Sequence, residues 1–212
     1  MNGLKNLIKF KKKRFIYLIS PNKIQNISFY SQLEDIFSLN KVAFFQLRLK
    51  KENKINKLKI GKKIQKICNK YNVKFIINDD PFLAKKINAD GCHLGQKDIN
   101  ILIARKILKK KIIGITCHNS IKLVKKAVKD KVDYIALGSF YSSKTKKIKY
   151  KAKITTLKLA KKITNIPIVV IGGIKLSNYK KLLLNKANFL AISGYIWKNK
   201  KYKPLEAIKK LK

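Results

Sequence analysis

The chain has 212 residues, with 52 lysines and arginines against 10 aspartates and glutamates, a formal net charge of +42. A chain of this length that is 46% hydrophobic can bury one sizeable core, so we expect a single domain over 1–212. In this domain 1–14 would be a basic N-terminal extension and about 198–212 a C-terminal helix. No apolar run approaches the roughly 20 residues that a membrane-spanning helix needs, so we expect no membrane partner.

The start of the chain is basic and then apolar, but no small-residue cleavage site follows it. Cys68, Cys92 and Cys117 are odd in number and are not spaced like metal ligands. They are typical of reduced thiols, and we therefore expect a cytoplasmic protein. The oligomeric state stays open, a homo-oligomer included.

The positive charge predicts weak binding to polyanions at low salt but no specific recognition of nucleic acid. The arginines are Arg14, Arg48 and Arg105, whereas specific readers of nucleic acid depend heavily on arginine. The lysines are scattered over all the predicted helices, without a basic stripe or interleaved stacking aromatics. Enrichment in lysine, isoleucine and asparagine together is typical of an AT-biased genome.

Apolar, strand-like runs alternate with amphipathic segments along the whole chain. The predicted strands lie near 15–20, 42–48, 74–78, 90–94, 111–115, 133–137, 167–171 and 189–192. Between the strands, apolar residues recur at helical spacing, which predicts connecting helices. Two of these helices would start after the predicted caps Ser120 and Ser177. Eight strands alternating with eight helices predict a single-domain (β/α)₈ barrel. The alternation alone does not show closure, and a doubly wound open sheet is the alternative.

A barrel of this kind carries its chemistry at the carboxyl ends of the strands. The second strand ends in Gln46, Arg48 and Lys50, which alternation places on one face, pointing into the barrel. Inward-facing cations are rare unless they are paired, so these residues indicate an anionic ligand. For Lys50 an exposed basic edge is the alternative.

The third and fourth strands are followed by acidic residues. Asp79 and Asp98 come just after two successive buried strands, where paired carboxylates can hold Mg²⁺ and leave room for water and phosphate oxygens. Asp80 precedes Pro81 and is predicted to cap a short helix from Pro81 to Ile87. Asp98 has an alternative role as the cap of a helix running from Ile99 to Leu108.

The remaining strand ends carry hydroxyl groups, lysines and glycines. Thr116 and His118 follow the fifth strand and would bind a ligand or cap the next helix. The segment 138–147 is rich in serine, threonine and lysine, donors that can wrap a diphosphate. Gly172-Gly173 and Ser193-Gly194 end the last two strands, the usual place of a phosphate site in such barrels.

Taken together, these stretches closely resemble the thiamine phosphate synthase family from Phe15 to about Trp197. The strongest matches are QLRLK at 46–50, NDD at 78–80, DGCHLGQKD at 90–98, GITCH at 114–118, DYIALGSFYSSKTK at 133–146 and VVIGGI at 169–174. The resemblance implies a TIM barrel that joins hydroxymethylpyrimidine diphosphate to a thiazole phosphate and releases diphosphate, with Mg²⁺ as cofactor. Its partners would be small phosphorylated substrates.

The resemblance also assigns roles to individual residues. It implies pyrimidine diphosphate contacts from Gln46, Arg48, Lys50, Asn78, Thr116 and Lys146, metal ligation by Asp79 and Asp98, and thiazole phosphate contacts from Ser143, Thr145, Gly173, Ile192 and Ser193. Catalysis would depend on Arg48, Lys50, Lys146 and Thr116. The chain departs from the family at Leu49, Thr116 and Ser142-Ser143, and the first two bear on fine positioning.

Two other functions compete with this interpretation. A thiazole tautomerase of the same superfamily would need a base such as His118, but neither the acid pair nor Lys146. A lysine-rich polyanion-binding protein on a decayed barrel is the second alternative. Decay would erode the strand-end motifs first, and here these motifs are nearly whole.

Overall fold

Eight parallel strands form a closed barrel in which each strand pairs with its neighbours in the chain and the last pairs with the first. The computed structural model describes residues 14–24, 26–142 and 149–212. The strands are β1 (Ile16–Ile19), β2 (Val42–Leu47), β3 (Lys74–Asn78), β4 (Gly91–Leu94), β5 (Ile112–His118), β6 (Tyr134–Gly138), β7 (Ile168–Ile171) and β8 (Phe189–Ile192). The predicted (β/α)₈ barrel is confirmed, and the open sheet is excluded.

Helices follow the strands and cover the barrel. Their bounds are α1 (Ser28–Ser38), α2 (Lys54–Lys70), α3 (Pro81–Ile87), α4 (Ile101–Leu108), α5 (Ile121–Lys129), α6 (Ile154–Ile163), α7 (Tyr179–Leu184), α8 (Gly194–Trp197) and α9 (Pro204–Lys210). The last helix is shorter than the predicted range of about 198–212. None of the helices within the described ranges is both long and apolar enough to cross a membrane.

Side chains at the helix N-termini satisfy backbone amides that the helices leave unpaired. Asp80 caps α3 by accepting a hydrogen bond from the Leu83 amide, and Ser120 caps α5, as predicted. The cap of α4 is Asn100. The alternative role of Asp98 as that cap is therefore wrong, as is the predicted start of the helix at Ile99. Ser177 is likewise not the residue that precedes α7, because Asn178 occupies that position.

The core has two layers, because successive residues of a strand point to opposite faces of the sheet. One layer fills the barrel and includes Tyr17, Phe44, Tyr134 and Phe189. The other and larger layer lies between strands and helices. Outward-facing residues of every strand must pack against a helix, which explains why the buried strands read as nearly continuous apolar runs.

Two acidic residues stabilise the end of the barrel where strands begin. Asp90 accepts a hydrogen bond from the Phe75 amide and pairs with Lys74, whose Nζ lies 3.0 Å from its carboxylate. Asp133 accepts from the Ile113 amide and pairs with Arg105 at 2.7 Å. Both acids therefore join neighbouring strands at the end opposite the predicted site, and they are structural.

Candidate active site

The two acids predicted to hold a metal come together at the carboxyl end of the barrel. Asp79 follows β3 in a left-handed backbone conformation (φ 65°), and its amide donates to the His93 carbonyl of β4 over 2.8 Å. Asp98 turns back toward the end of β4, where its carboxylate accepts a 2.6 Å hydrogen bond from the Gly95 amide. The Asp79 carboxylate is near enough to the Asp98 carboxylate to influence its protonation.

Two neighbouring carboxylates repel each other, and the electrostatics of this site reflect it. The pKa of Asp98 is raised above its usual value, first by partial burial and then by the adjacent Asp79 carboxylate. Lys50 offsets part of this charge, since its Nζ lies 3.3 Å from Asp79 Oδ2. A pair of acids held together in this way is stabilised by a bound cation or by a shared proton.

The donor set of this site fits Mg²⁺. Carboxylate oxygens are the ligands that Mg²⁺ prefers, and the ion usually takes only one or two of them from the protein, together with water and phosphate oxygens. Within the described residues there is no cluster of three or more histidine, cysteine, aspartate or glutamate side chains suited to a metal. A metal bound at Asp79 and Asp98 would have coordination positions open to water and phosphate oxygens.

The residues at the end of β2 occupy three different environments. Gln46 is inside the barrel and only 3% exposed, as the alternation predicts. Arg48 lies just past the strand end, partly buried, with its amide bound to Ser20 Oγ. Lys50 is at the rim, with 57% of its side chain exposed, so it does not point into the barrel. The strand ends at Leu47, and beyond this residue the alternation no longer determines direction.

A chain of hydrogen bonds crosses the inside of the barrel below the acids. It connects Gln46 to Tyr17, Tyr17 to Tyr134, Tyr134 to His93 and His93 to Thr116. Two residues predicted to bind substrate, Gln46 and Thr116, are thus the ends of one polar network. The three residues between them, Tyr17, Tyr134 and His93, were not predicted to belong to the site. In the sequence, the sign of such a network is a tyrosine or histidine within an otherwise apolar strand.

Clefts flank the acid pair on both sides. One, of about 190 Å³, is lined by Lys50, Asn78 and Asp79 together with Lys57 of α2. The other, of about 150 Å³, borders Gly95 and Asp98. The first cleft therefore places two lysines and strand-end polar groups around open space next to the Asp79 carboxylate, an arrangement that suits a phosphorylated ligand.

The loops after β6 and β7 are in close contact through two glycines. Gly172 and Gly173 both have positive φ (109° and 59°), and a Cβ on Gly173 would lie 2.3 Å from the Ser142 carbonyl oxygen. These glycines are thus required by packing, whatever they bind. Ser193, before α8, donates to the Ser20 carbonyl, and Ile192 is buried at the end of β8. Ser143, Thr145 and Lys146 lie outside the described residues.

His118, the base that a tautomerase would require, is stacked on Tyr150, with ring centroids 4.1 Å apart. The neighbouring Asn119 donates to the Lys151 carbonyl. These contacts connect the end of β5 to the segment that precedes α6. They give His118 a structural role in this part of the site.

Comparison with known proteins gives consistent results. The family model described as "Thiamine monophosphate synthase" matches residues 16–196. The chain is 72% identical over 200 residues to the thiamine-phosphate synthase of Pelagibacter ubique (strain HTCC1062), covering 94% of this chain and 97% of that protein. It is 38% identical to the thiamine-phosphate synthase of Nitrosomonas eutropha over 84% of each chain.

Solved structures show the same barrel. Thiamine phosphate pyrophosphorylase from Pyrococcus furiosus superimposes with a TM-score of 0.83 over 96% of this chain and 95% of that one, at 22% identity. 3-Hexulose-6-phosphate synthase gives a TM-score of 0.66 at 15% identity, over 92% of this chain and 98% of that one, which is a likeness of fold alone. Together with the matched residues, these comparisons establish that the chain belongs to the thiamine monophosphate synthase family.

Proposed function

We propose that this chain is a thiamine-phosphate synthase, a transferase that joins hydroxymethylpyrimidine diphosphate to a thiazole phosphate and releases diphosphate. The observation that carries the proposal is the pairing of Asp79 and Asp98 beside Lys50 at the carboxyl end of the barrel. The site combines a place for a divalent cation with cationic side chains, as a reaction that expels diphosphate requires. Membership of the family supports the same activity.

Asp79 and Asp98 would hold Mg²⁺, for which their paired oxygens are suited. When bound, the ion would neutralise charge on the diphosphate oxygens. Lys50 contacts Asp79, and from this position its ammonium would also reach the diphosphate of a bound substrate. Asn78, at the end of β3, lies next to the acids and would contact the same substrate.

The bond change needs little proton transfer. The bond between the pyrimidine methylene carbon and the diphosphate oxygen breaks, and its electron pair leaves with the oxygen. The ring amino group stabilises the resulting cation, and the thiazole nitrogen donates its lone pair to form the new carbon–nitrogen bond. The main barrier is therefore the charge that develops on the departing diphosphate, which Arg48, Lys50 and Lys146 would stabilise.

The remaining residues would orient the two substrates, since correct placement supplies a large part of the rate. Gln46 and Thr116 would position the pyrimidine from opposite sides of the barrel mouth. The thiazole phosphate would lie near the ends of β7 and β8, held by the contacts assigned from the sequence: Ser143, Thr145, Gly173, Ile192 and Ser193.

The tautomerase is the closer alternative, and two features disfavour it. His118 is engaged in a stack with Tyr150, and the acid pair has no role in a proton shift on the thiazole. We further propose that the protein acts in the cytoplasm on these small phosphorylated molecules and has no specific nucleic-acid partner.

A product assay tests the proposal. The protein is incubated with hydroxymethylpyrimidine diphosphate and thiazole phosphate, with Mg²⁺ or with a chelator, and thiamine phosphate is quantified by chromatography. We expect product only with both substrates and free Mg²⁺. Equal product formation in the presence of the chelator would contradict the metal assignment, and an absence of product in every mixture would contradict the synthase.

A further inference from the structure

The polar network inside the barrel gives a role to His93, a residue with no assigned function. His93 lies on β4 and is only partly exposed. Its Nδ1 lies 2.9 Å from Tyr134 Oη, and its Nε2 lies 2.9 Å from Thr116 Oγ1. Both ring nitrogens are therefore engaged, one toward the barrel interior and the other toward a residue of the proposed site.

The order of donors along this network follows if every hydroxyl proton is used within it, because each member has a fixed number of protons. Gln46 Nε2 donates to Tyr17 Oη over 3.1 Å. The single Tyr17 proton is then directed to Tyr134 Oη, 2.8 Å away. The Tyr134 proton would in turn be directed to His93 Nδ1, 2.9 Å away, which would accept it.

The state of His93 follows from this order. A neutral imidazole that accepts at Nδ1 carries its proton on Nε2, so His93 donates to Thr116 Oγ1. Tyr134 Oη and Thr116 Oγ1 engage the two ring nitrogens, and a ring that accepts a proton at one nitrogen is by definition neutral. Burial raises the pKa of Tyr17 and of Tyr134, and both phenols therefore keep the protons that the order requires.

The barrel is shaped to hold the central tyrosine. Gly114 on β5 lies against the Tyr134 ring, and a Cβ at this position would be 1.9 Å from the ring carbon Cζ. The Tyr134 ring also stacks on His93, with centroids 5.5 Å apart and planes 17° apart. A ring fixed on two sides can hold its hydroxyl in one place.

We propose that His93 is a positioning residue: it is held as the neutral Nε2–H tautomer, it donates to Thr116 Oγ1, and it thereby directs the Thr116 hydroxyl proton toward the substrate. Thr116 then acts as a hydrogen-bond donor to the pyrimidine diphosphate and not as an acceptor. Within the described residues, Thr116 Oγ1 has no hydrogen-bond partner apart from His93, so its proton is available. The tautomer of His93 does not depend on the proposed function, whereas the expected effect on turnover rests on it.

The tautomer can be measured without substrate. Long-range proton–nitrogen correlation spectra of the ¹⁵N-histidine-labelled protein distinguish the protonated ring nitrogen from the unprotonated one. The chain has two histidines, so a His118→Gln variant assigns the signals. We expect a proton on Nε2 of His93 at pH 7. A proton on Nδ1 would overturn the proposal whether or not the protein is a synthase.

Kinetics test the positioning role. Tyr134→Phe removes the hydroxyl that orients His93, and we expect turnover to fall about tenfold, the effect of losing one buried hydrogen bond. Tyr179→Phe is the matched control, because it also removes a buried hydroxyl, one bonded to the Lys212 carbonyl in the outer layer. An equal loss in both variants would mean a general packing effect and would overturn the proposal.

Two further variants keep the test decisive if Tyr134→Phe folds poorly. His93→Gln retains a donor for Thr116, whereas His93→Leu does not, so we expect turnover to fall much less in the first. In a Thr116→Val background, the His93→Gln and His93→Leu variants should have the same turnover, because the hydroxyl through which His93 acts is gone. Independent, additive losses would contradict a role through Thr116.

Discussion

Asp79 has a left-handed backbone conformation that residues other than glycine rarely adopt, although aspartate tolerates it better than most. The turn ends the extended strand abruptly and allows the carboxylate to approach Asp98. Strain and like-charge repulsion at one point are typical of sites shaped for binding and not for stability. At the residue scale, the pair is therefore the strongest sign of function in the chain.

Asp79→Ala and Asp98→Ala should each reduce turnover at least about a hundredfold, because each removes charge that places the cation against the diphosphate. The fold should survive, since neither side chain belongs to the core. Steady-state assays at varied Mg²⁺ and circular dichroism check both expectations. Asp35→Ala, a change on the exposed face of α1, is the control. Near-normal, Mg²⁺-dependent turnover in both site variants would show that the metal assignment is wrong.

Lys146→Ala should lower turnover more strongly than it weakens binding of the pyrimidine diphosphate. Its ammonium would face an oxygen whose charge grows as the bond breaks, and such a contact lowers the barrier more than it stabilises the bound substrate. The expected loss is on the order of 3 kcal/mol, or about a hundredfold in rate.

Lys144→Ala and Lys147→Ala serve as neighbouring controls and should change little. Single-turnover and steady-state kinetics with both substrates separate binding from chemistry. Equal losses at all three lysines would indicate that this segment acts through general charge, without a specific role for Lys146.

At the scale of elements, some glycines of the barrel leave no room for a larger side chain, whereas others can be replaced by alanine. Gly114→Ala on β5 would push a methyl group into the buried Tyr134 ring, and we expect a destabilisation of about 1–3 kcal/mol. Gly61→Ala on α2 meets only the flexible end of Ile87, and the alanine favours the helix by up to about 1 kcal/mol. The free energy of unfolding of both variants, measured by urea denaturation and compared with wild type, checks these expectations. A Gly114→Ala protein as stable as wild type would contradict the close contact at Tyr134.

The strands and most helices could be predicted from the sequence because the physics that places them is local. A strand covered on both faces is a short apolar run, and Asp80 before Pro81 is a strong start signal for a helix. The start of α4 was harder to place, because Asp98 and Asn100 are both good caps. Asp98 instead accepts from Gly95, a choice that depends on the fold of the preceding turn.

The interior network could not be predicted, because it depends on closure of the barrel. His93 and Tyr134 are 41 residues apart and meet across two strand pairings. Each looks, in the sequence, like an ordinary residue in a buried strand. Similarly, the rim position of Lys50 follows from where β2 ends, and strand ends are the least certain part of a pattern.

For the whole molecule, the net charge of +42 is carried by lysines scattered along the whole sequence. A strongly positive protein attracts anionic substrates and also binds polyanions non-specifically. The first effect would help capture two phosphorylated substrates, and it is independent of the specific contacts at the barrel mouth.

Binding to duplex DNA should accordingly be weak, independent of sequence and steeply reduced by salt, because it reflects released counterions and not base recognition. Fluorescence anisotropy with two unrelated duplexes, measured across a salt series, checks this expectation. A tight complex with one particular sequence at physiological ionic strength would show instead that the charge serves a specific partner.

The central claim is that this barrel couples diphosphate departure to carbon–nitrogen bond formation. The most direct measurement is ³¹P NMR of one reaction mixture that contains the protein, both substrates and Mg²⁺, in which thiamine phosphate and diphosphate are quantified together. We predict equal amounts of the two products, formed at the same rate. Diphosphate released without thiamine phosphate, or no diphosphate at all from folded protein, would contradict the account.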